Sequence, residues 1–234
     1  MNTIREHDKL YLNEDRKNEP KEYFKFIETV FRKRINSVEN STILDIGCAT
    51  GDFLYFIHKK FPSAKISGMD VRNDLLEKAK SKVPFATFFQ GNIQDSKTLP
   101  KEKFDFIFML GVHSIFDNYE LMLDNIIQIS NKGGRVGIFG VFNPEDVDVL
   151  VKVRNSNDDK WQSGWNMFSK KSISNYLTKK NILHNFIDWK ISVDIPKNKS
   201  DPLRSWTFKD EKEERIIING TQLVHTFSLL EITM

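Results

Sequence analysis

The chain has one cysteine in 234 residues, Cys48. No intramolecular disulfide framework and no cysteine-rich zinc site can be built from it. Neither sign of charge is in large excess: 35 Lys and Arg stand against 32 Asp and Glu, a net charge of +3. That is too even for the basic field of a nucleic-acid-binding protein. No run of about 18 apolar residues occurs, so no membrane span is expected, and the charged start MNTIREHDKLYLNEDRKNEP lacks the apolar stretch of a secretory signal. His7, His58, His184 and His225 are far apart, without metal-ligand spacing, and read as structural or surface residues. What is present suits a packed domain, 39% hydrophobic and 29% charged residues. The expectation is a soluble, cytoplasmic protein with one domain over 1–234, bound to no metal.

The hydrophobic period changes along the chain. Phe24, Ile27, Phe31 and Ile35 mark a helix within 21–38. ILDIG (43–47) suits a buried strand closed by glycine, and 52–60 a helix. Strands at 64–70, 85–90, 104–110 and 133–140 then alternate with helices at 72–82 and 117–130, the latter with Leu121, Asn125, Ile126 and Ile129 near one face. Strand–helix alternation with nearly continuous apolar strands predicts an α/β fold whose mostly parallel sheet is covered by helices on both faces. After residue 140 the rhythm breaks. Residues 142–168 are longer than an ordinary connection, a helix resumes at 169–180, and 185–195 alternates like a strand. RSWTFK and ERIIING predict an extra hairpin within 204–220, and Asn219-Gly220 a type I′ turn into the last strand.

The most informative segment joins the first strand to the first helix after it: Ile43-Leu44-Asp45-Ile46-Gly47-Cys48-Ala49-Thr50-Gly51-Asp52. Two glycines let a ligand approach bare backbone, and the helix start offers free N–H groups. Such strand-to-helix corners at the carboxyl edge of a parallel sheet are where these folds bind ligands. Asp70, nineteen positions past Gly51 at the end of the second strand, can accept the two hydroxyl protons of a ribose. The dinucleotide pattern G-x-G-x-x-G and the phosphate loop G-x-x-x-x-G-K-[ST] are both absent.

ILDIGCATGDF resembles motif I of the class I S-adenosylmethionine-dependent methyltransferases, (D/E)-x-G-x-G-x-G, with Ala49 at the middle glycine. The resemblance runs over about 41–140. It implies a Rossmann-like seven-stranded sheet with an antiparallel last strand. Asp45, Gly47, Cys48, Ala49 and Gly51 would form the cofactor turn, with Cys48 serving by its size. Asp70 would hold the ribose and Val71 would lie beside the adenine. Asn92, in place of the usual Asp, and Ile93 match the motif after the third strand. Leu110 and Gly111 match the fourth-strand motif near the methionine moiety. The implied cofactor is S-adenosyl-L-methionine, with S-adenosylhomocysteine as product.

The same resemblance makes 1–40 a cover segment, 41–140 the cofactor-binding half, 141–168 an acceptor-side insertion and 169–234 the C-terminal half. His113, after the fourth strand, is the candidate base toward a hydroxyl or amine, against a histidine simply packed in its loop. Asn143, Arg154, Trp165 and Asn166 are candidate acceptor contacts in the insertion, with Asp146 and Trp161 beside them; Tyr11 and Arg16 are the candidates from the cover. Alternatively, Val147, Leu150 and Val151 form a covering helix on which the tryptophans pack. The insertion and late hairpin resemble those of bacterial methyltransferases acting on sugars or small metabolites in surface-glycan or natural-product pathways. The expected acceptor is therefore a small polar molecule or sugar, and the chain a monomer or homodimer. The alternatives are a tRNA or protein methyltransferase, disfavoured by the small net charge, and a non-catalytic adenosylmethionine-binding subunit.

Overall fold

A computed structural model describes residues 6–156 and 159–234, except for the side chains of residues 6, 7 and 9. The His7 side chain and residues 157 and 158 of the insertion therefore lie outside what is described. Among the described residues no helix is long and apolar enough to cross a membrane.

A 3₁₀ turn (Glu6–Asn13) and helix α1 (Glu22–Asn36) precede strand β1 (Thr42–Ile46). Then come α2 (Asp52–Lys60), β2 (Lys65–Asp70), α3 (Asn73–Lys82), β3 (Thr87–Gln90), β4 (Phe104–Leu110), α4 (Tyr119–Gln128) and β5 (Ser130–Asn143). The later elements are β6 (Lys152–Val153), β7 (Gln162–Ser163), β8 (Phe168–Ser169), α5 (Lys170–Lys179), β9 (Leu183–Asp188), β10 (Trp206–Lys209), β11 (Arg215–Ile218) and β12 (Phe227–Thr233). The main sheet runs β3-β2-β1-β4-β5-β12-β9, with β8 paired to the far end of β5. Its pairings are parallel except those of β12, which runs antiparallel to both β5 and β9. The fold is the predicted Rossmann-like α/β sheet, with a short eighth strand added.

Because successive strand residues point to opposite faces, neighbouring strand residues feed two separate cores. Ile43, Phe106, Phe108 and Leu229 pack with Phe24, Ile27 and Phe31 of α1 and Phe53 and Ile57 of α2. Leu44, Ile107, Met109 and Leu230 pack with Met122 and Ile126 of α4 and Ile173 and Leu177 of α5. Both faces are apolar, which is why the strands read as unbroken apolar runs.

Four local expectations change. Leu121 is exposed, and the inner face of α4 is carried by Met122, Leu123, Asn125 and Ile126. The strand expected over 185–195 ends at Asp188; Ile195 instead bonds Thr207, as acceptor of its N–H at 3.0 Å and donor to its hydroxyl at 2.8 Å. No helix forms over Val147–Val151, and Val147 and Leu150 are exposed; the insertion holds the small hairpin β6–β7. Hairpin β10–β11 forms as expected, but Asn219-Gly220 does not turn it into β12. Asn219 is fully buried, its Nδ2 donating to Leu203 O at 3.1 Å and its Oδ1 accepting from the Thr221 N–H at 2.9 Å. Gly220 donates its N–H to Pro202 O at 2.7 Å, where a Cβ would fall 2.6 Å from that oxygen. Close backbone approach accounts for this glycine.

Candidate functional site

At the carboxyl ends of β1, β2 and β4 lies a cavity of about 570 Å³, within the range of sites that enclose a small ligand. Its floor is the β1–α2 corner. Gly47 (φ +73°) and Cys48 both donate their N–H groups to Met69 O, at 2.7 and 3.1 Å, which ties the corner to β2. A Cβ on Gly47 would fall 2.4 Å from a Val112 methyl, so backbone must stay bare there. Ala49 takes a left-handed φ of +47°, costly for an L-residue, and its N–H donates to Asp70 Oδ2 at 3.0 Å. Asp70 Oδ1 accepts the Arg72 N–H at 3.0 Å. The Asp70 carboxylate is thus fixed by one bond on each oxygen, with further lone pairs available to a ligand.

Asp45 is the second acid on the wall, and none of its oxygens finds a hydrogen-bond donor among the described residues, although the residue is only 3% exposed. Burial, and then the nearby Asp70 charge, push its carboxyl well above the ordinary carboxylate range. Burial, then Asp45 and Asp70, likewise push the Cys48 thiol well up. Cys48 is therefore a neutral thiol in the corner.

Val71, Asn92, Ile93, Leu110 and Gly111 complete the cofactor-side residues found on the wall. Asn92 Oδ1 accepts the Gln94 N–H at 2.9 Å, so the amide is held in a turn. Gly111 (φ +77°) has nothing within 4 Å of a Cβ position. Gly51 is different. It does not line the cavity; with φ +80° it caps α2, and a Cβ there would fall 2.9 Å from a Val83 methyl. Its work is the turn, not contact.

Several expected acceptor contacts also lie elsewhere. His113 is 1% exposed and off the cavity wall. Its ring stacks on Phe142 at 4.4 Å and its Nε2 lies 2.9 Å from Val141 O, which as a carbonyl requires Nε2–H as donor. Burial lowers its pKa to about 4, which removes it as an accessible base at the cavity. Asn143 staples its own loop, its Nδ2 donating to Val147 O at 2.7 Å. Asn166 is fully buried: its Nδ2 donates to Phe116 O at 2.7 Å, and its Oδ1 accepts the Val151 N–H at 2.7 Å. Arg154 lies over the Trp161 ring at 5.2 Å, and neither it nor Trp165 lines the cavity. Tyr11 is on the wall; Arg16 reaches the site through its backbone N–H, which donates to Asp52 Oδ1 at 3.0 Å.

Wall residues without a signal in the sequence pattern include Glu14, Lys21, Tyr23, Asp117 and Ser163. Burial pushes Glu14 up, but the Lys21 and Arg204 charges outweigh it and hold the carboxyl below its ordinary value. Burial pushes the Tyr11 and Tyr23 phenols up, so both stay protonated. Burial also raises Asp117, but bonds from Lys152, Ser163 and Asn166 outweigh it and hold that carboxyl low.

Residues 43–134 match a family model described as a methyltransferase domain, and these residues contain the corner, Asp70 and the β3 and β4 loops. Over that stretch, under half of its length, the chain is similar to methyltransferase domains. Among curated proteins, the chain is 27% identical over 146 residues to malonyl-[acyl-carrier protein] O-methyltransferase 2 of Ilyobacter polytropus, covering 62% of the chain and 56% of that protein. It is 29% identical over 96 residues to trans-aconitate 2-methyltransferase of Escherichia coli, covering 41% and 36%. The matches thus span about half or less of those relatives. Among solved structures, an S-adenosylmethionine-dependent methyltransferase from Clostridium acetobutylicum superposes with a TM-score of 0.59 at 11% identity, covering 96% of this chain and 94% of that one. The latter likeness is one of fold.

Proposed function

We propose that this chain binds S-adenosylmethionine in the β1–β2–β4 cavity and transfers its methyl group to a small polar acceptor. The observation that carries the reading is the pair of buried acids on one wall: Asp70, fixed by the Ala49 and Arg72 N–H groups, and Asp45, buried without a donor. A ribose diol suits the first, and the cationic ammonium of an amino acid suits the second. Bound there, the cofactor supplies a methyl group already activated by the sulfonium charge. The chain then has to align and desolvate rather than drive bond breaking. Gly47, Ala49 and Leu110 shape the bed, Val71 and Ile93 give apolar contact to a base, and Tyr11 and Tyr23 close the side near α1.

No histidine stands among the described residues of the cavity wall, Glu14 is bound to cations, and both tyrosines are protonated. This supports an acceptor that brings its own lone pair, an amine or an oxygen already ionised, over a hydroxyl that needs a strong base. The relatives named for a malonyl group on acyl carrier protein and for trans-aconitate support a small acceptor moiety. A sugar acceptor draws less support, because Trp165 and Arg154 stand off the cavity wall.

Calorimetry with adenosylmethionine and adenosylhomocysteine tests the reading. Micromolar binding is expected, weakened at least about tenfold in Asp70→Ala; no binding at high micromolar concentration sinks it. A tritiated-methyl screen over amines, carboxylic acids, sugars and tRNA ranks the acceptors, and label entering tRNA would overturn the choice of a small acceptor.

A further inference from the structure

The cofactor cavity has a neighbour. An open groove lined by Asp117, Lys152, Trp161, Gln162 and Ser163 shares two of these residues, Asp117 and Ser163, with the cofactor cavity. The shared pair forms a neck. Ser163 Oγ donates to Asp117 Oδ1 at 2.8 Å, and Lys152 Nζ lies 2.5 Å from Asp117 Oδ2. Beyond the neck stands Trp161, 63% exposed, a large ring left in water next to a small-molecule site.

We infer that this groove is a second acceptor subsite, in which a flat ring of the acceptor lies on Trp161 while its reacting atom reaches past Asp117 and Ser163 into the cofactor cavity. The inference deepens the methyl-transfer reading and rests on it. Three observations favour a ring over an extended aliphatic acid. An exposed indole offers a face for stacking, and ring-on-ring contact gains beyond the area it covers. Arg154 already lies over that ring at 5.2 Å, leaving a cation beside any ring placed there. The neck presents Asp117, held ionised by Lys152, Ser163 and Asn166, to hydroxyl or amino substituents of such a ring. The groove is also built in advance. Fully buried Asn166 bonds Phe116 O, Asp117 Oδ1 and the Val151 N–H, so the β6–β7 hairpin is pinned to the loop after β4. The reactive centre and the stacking face are thereby held at a fixed separation, which selects acceptors by length.

The test reads Trp161 directly. Its indole N–H resonance is assigned by loss in Trp161→Phe, then followed with adenosylhomocysteine present while tyramine, catechol, aniline and trans-aconitate are each titrated. At least one of the three ring probes is expected to shift it saturably, with trans-aconitate leaving it in place. Lys152→Ala should alter the affinity of that probe at least about threefold. A resonance moved by no ring probe, or moved equally by trans-aconitate, overturns the inference. Calorimetry on Trp161→Ala should give wild-type adenosylhomocysteine affinity, since the ring lies outside the cofactor cavity. The two claims fail separately: absent adenosylhomocysteine binding in calorimetry defeats the methyl-transfer reading, while an unmoved indole in protein that binds it defeats the subsite.

Discussion

Arg204 donates to the carboxylate of Glu14, 190 positions earlier in the chain. Lys21 Nζ stands 3.1 Å from the other oxygen of that carboxylate. Glu14 and Lys21 are on the cavity wall, whereas Arg204 comes from the stretch between β9 and β10. The C-terminal part of the chain therefore holds the N-terminal cover over the cofactor cavity. The other anchors of the cover are polar too: Lys78 donates to Leu12 O, Lys82 pairs with Asp15 at 3.3 Å, and the Arg16 N–H bonds Asp52. The stretch before α1, held by charge more than by apolar burial, opens at modest cost. Arg204→Ala should speed adenosylhomocysteine release several-fold in stopped-flow fluorescence, and Glu14→Ala should do the same. The double variant should release little faster than Glu14→Ala alone, because that change already removes the Arg204 contact along with the Lys21 one. Wild-type release in Arg204→Ala would show that the cover is held by other means.

Asp45 gives a prediction of opposite sign for the free and bound protein. Burial first, and Asp70 second, raise its carboxyl above the unfolded value. A raised carboxyl makes the folded state hold its proton more tightly, so the stability it gives is present below the unfolded pKa and is lost as pH rises through the folded one. At pH 8 without ligand, Asp45→Asn should therefore melt higher than wild type, by about 2–4 °C for each kcal/mol relieved in a chain of this size. The gap should close near pH 4. With saturating adenosylhomocysteine the order should reverse, since the amide cannot neutralise an ammonium. Scanning calorimetry across pH, with and without ligand, reads both effects; a wild type that melts higher without ligand at pH 8 contradicts the account.

His113 should matter to stability and not to chemistry. Its pKa is lowered to about 4 by burial, while the unfolded value is near 6.5. The unfolded chain thus takes up the proton first as pH falls, and stability is lost between about pH 6.5 and 4, by roughly 3 kcal/mol for a shift of this size. His225, also buried and lowered to about 4, adds a loss in the same window. Urea unfolding at pH 7, 5.5 and 4.5 should show the decline, and His113→Phe should flatten part of it. The pH profile of kcat should keep its shape in that variant. A hundredfold fall in kcat with the fold intact would return His113 to the reaction.

How much of this is legible before folding depends on whether the signal is local. The strands around Leu44 and Ile107 announce themselves because both sheet faces are covered, so every position can be apolar. Asp45, Gly47 and Asp70 stand at fixed offsets around one strand–helix corner, and sequence spacing carries that geometry. Glu14, Lys21, Asp117 and Ser163 have no such spacing. They sit on segments without period and reach the wall because the cover, the loop after β4 and the β6–β7 hairpin cross the end of the sheet. Tyr23 hides beside Phe24 within a helical stripe, yet its ring stacks on Phe139 at 4.8 Å while the residue also borders the cavity. His113 misleads in the other direction. A histidine after a sheet strand looks chemical, but a Cβ on Gly140 would fall 2.4 Å from its Cε1, and that missing side chain is the space in which the ring is buried.

The lone cysteine should be chemically quiet despite lining the site. Burial, and then the Asp45 and Asp70 charges, raise the Cys48 thiol, so little thiolate exists at neutral pH and alkylation needs thiolate. Iodoacetamide at pH 7.5 should label the folded protein far more slowly than the urea-unfolded one, and bound adenosylhomocysteine should slow it further by covering the corner. Cys48→Ala removes one small buried group and should cost on the order of 1 kcal/mol while leaving turnover within about threefold. Enlarging the site is a different matter. A Cβ on Gly68 would stand 2.7 Å from the Sγ, 2.8 Å from Leu54 Cδ1 and 2.9 Å from Phe88 Cε1, so Gly68→Ala forces these side chains or strand β2 to move. Because β2 ends in Asp70, that variant should lose cofactor affinity as well as stability, whereas Gly68→Ala combined with Cys48→Ala should recover much of both. Recovery measured by calorimetry and melting would assign Cys48 a volume to fill beneath the ribose-side acid; a double variant no better than Gly68→Ala alone would show that Leu54, Phe88 or the strand itself rejects the added methyl.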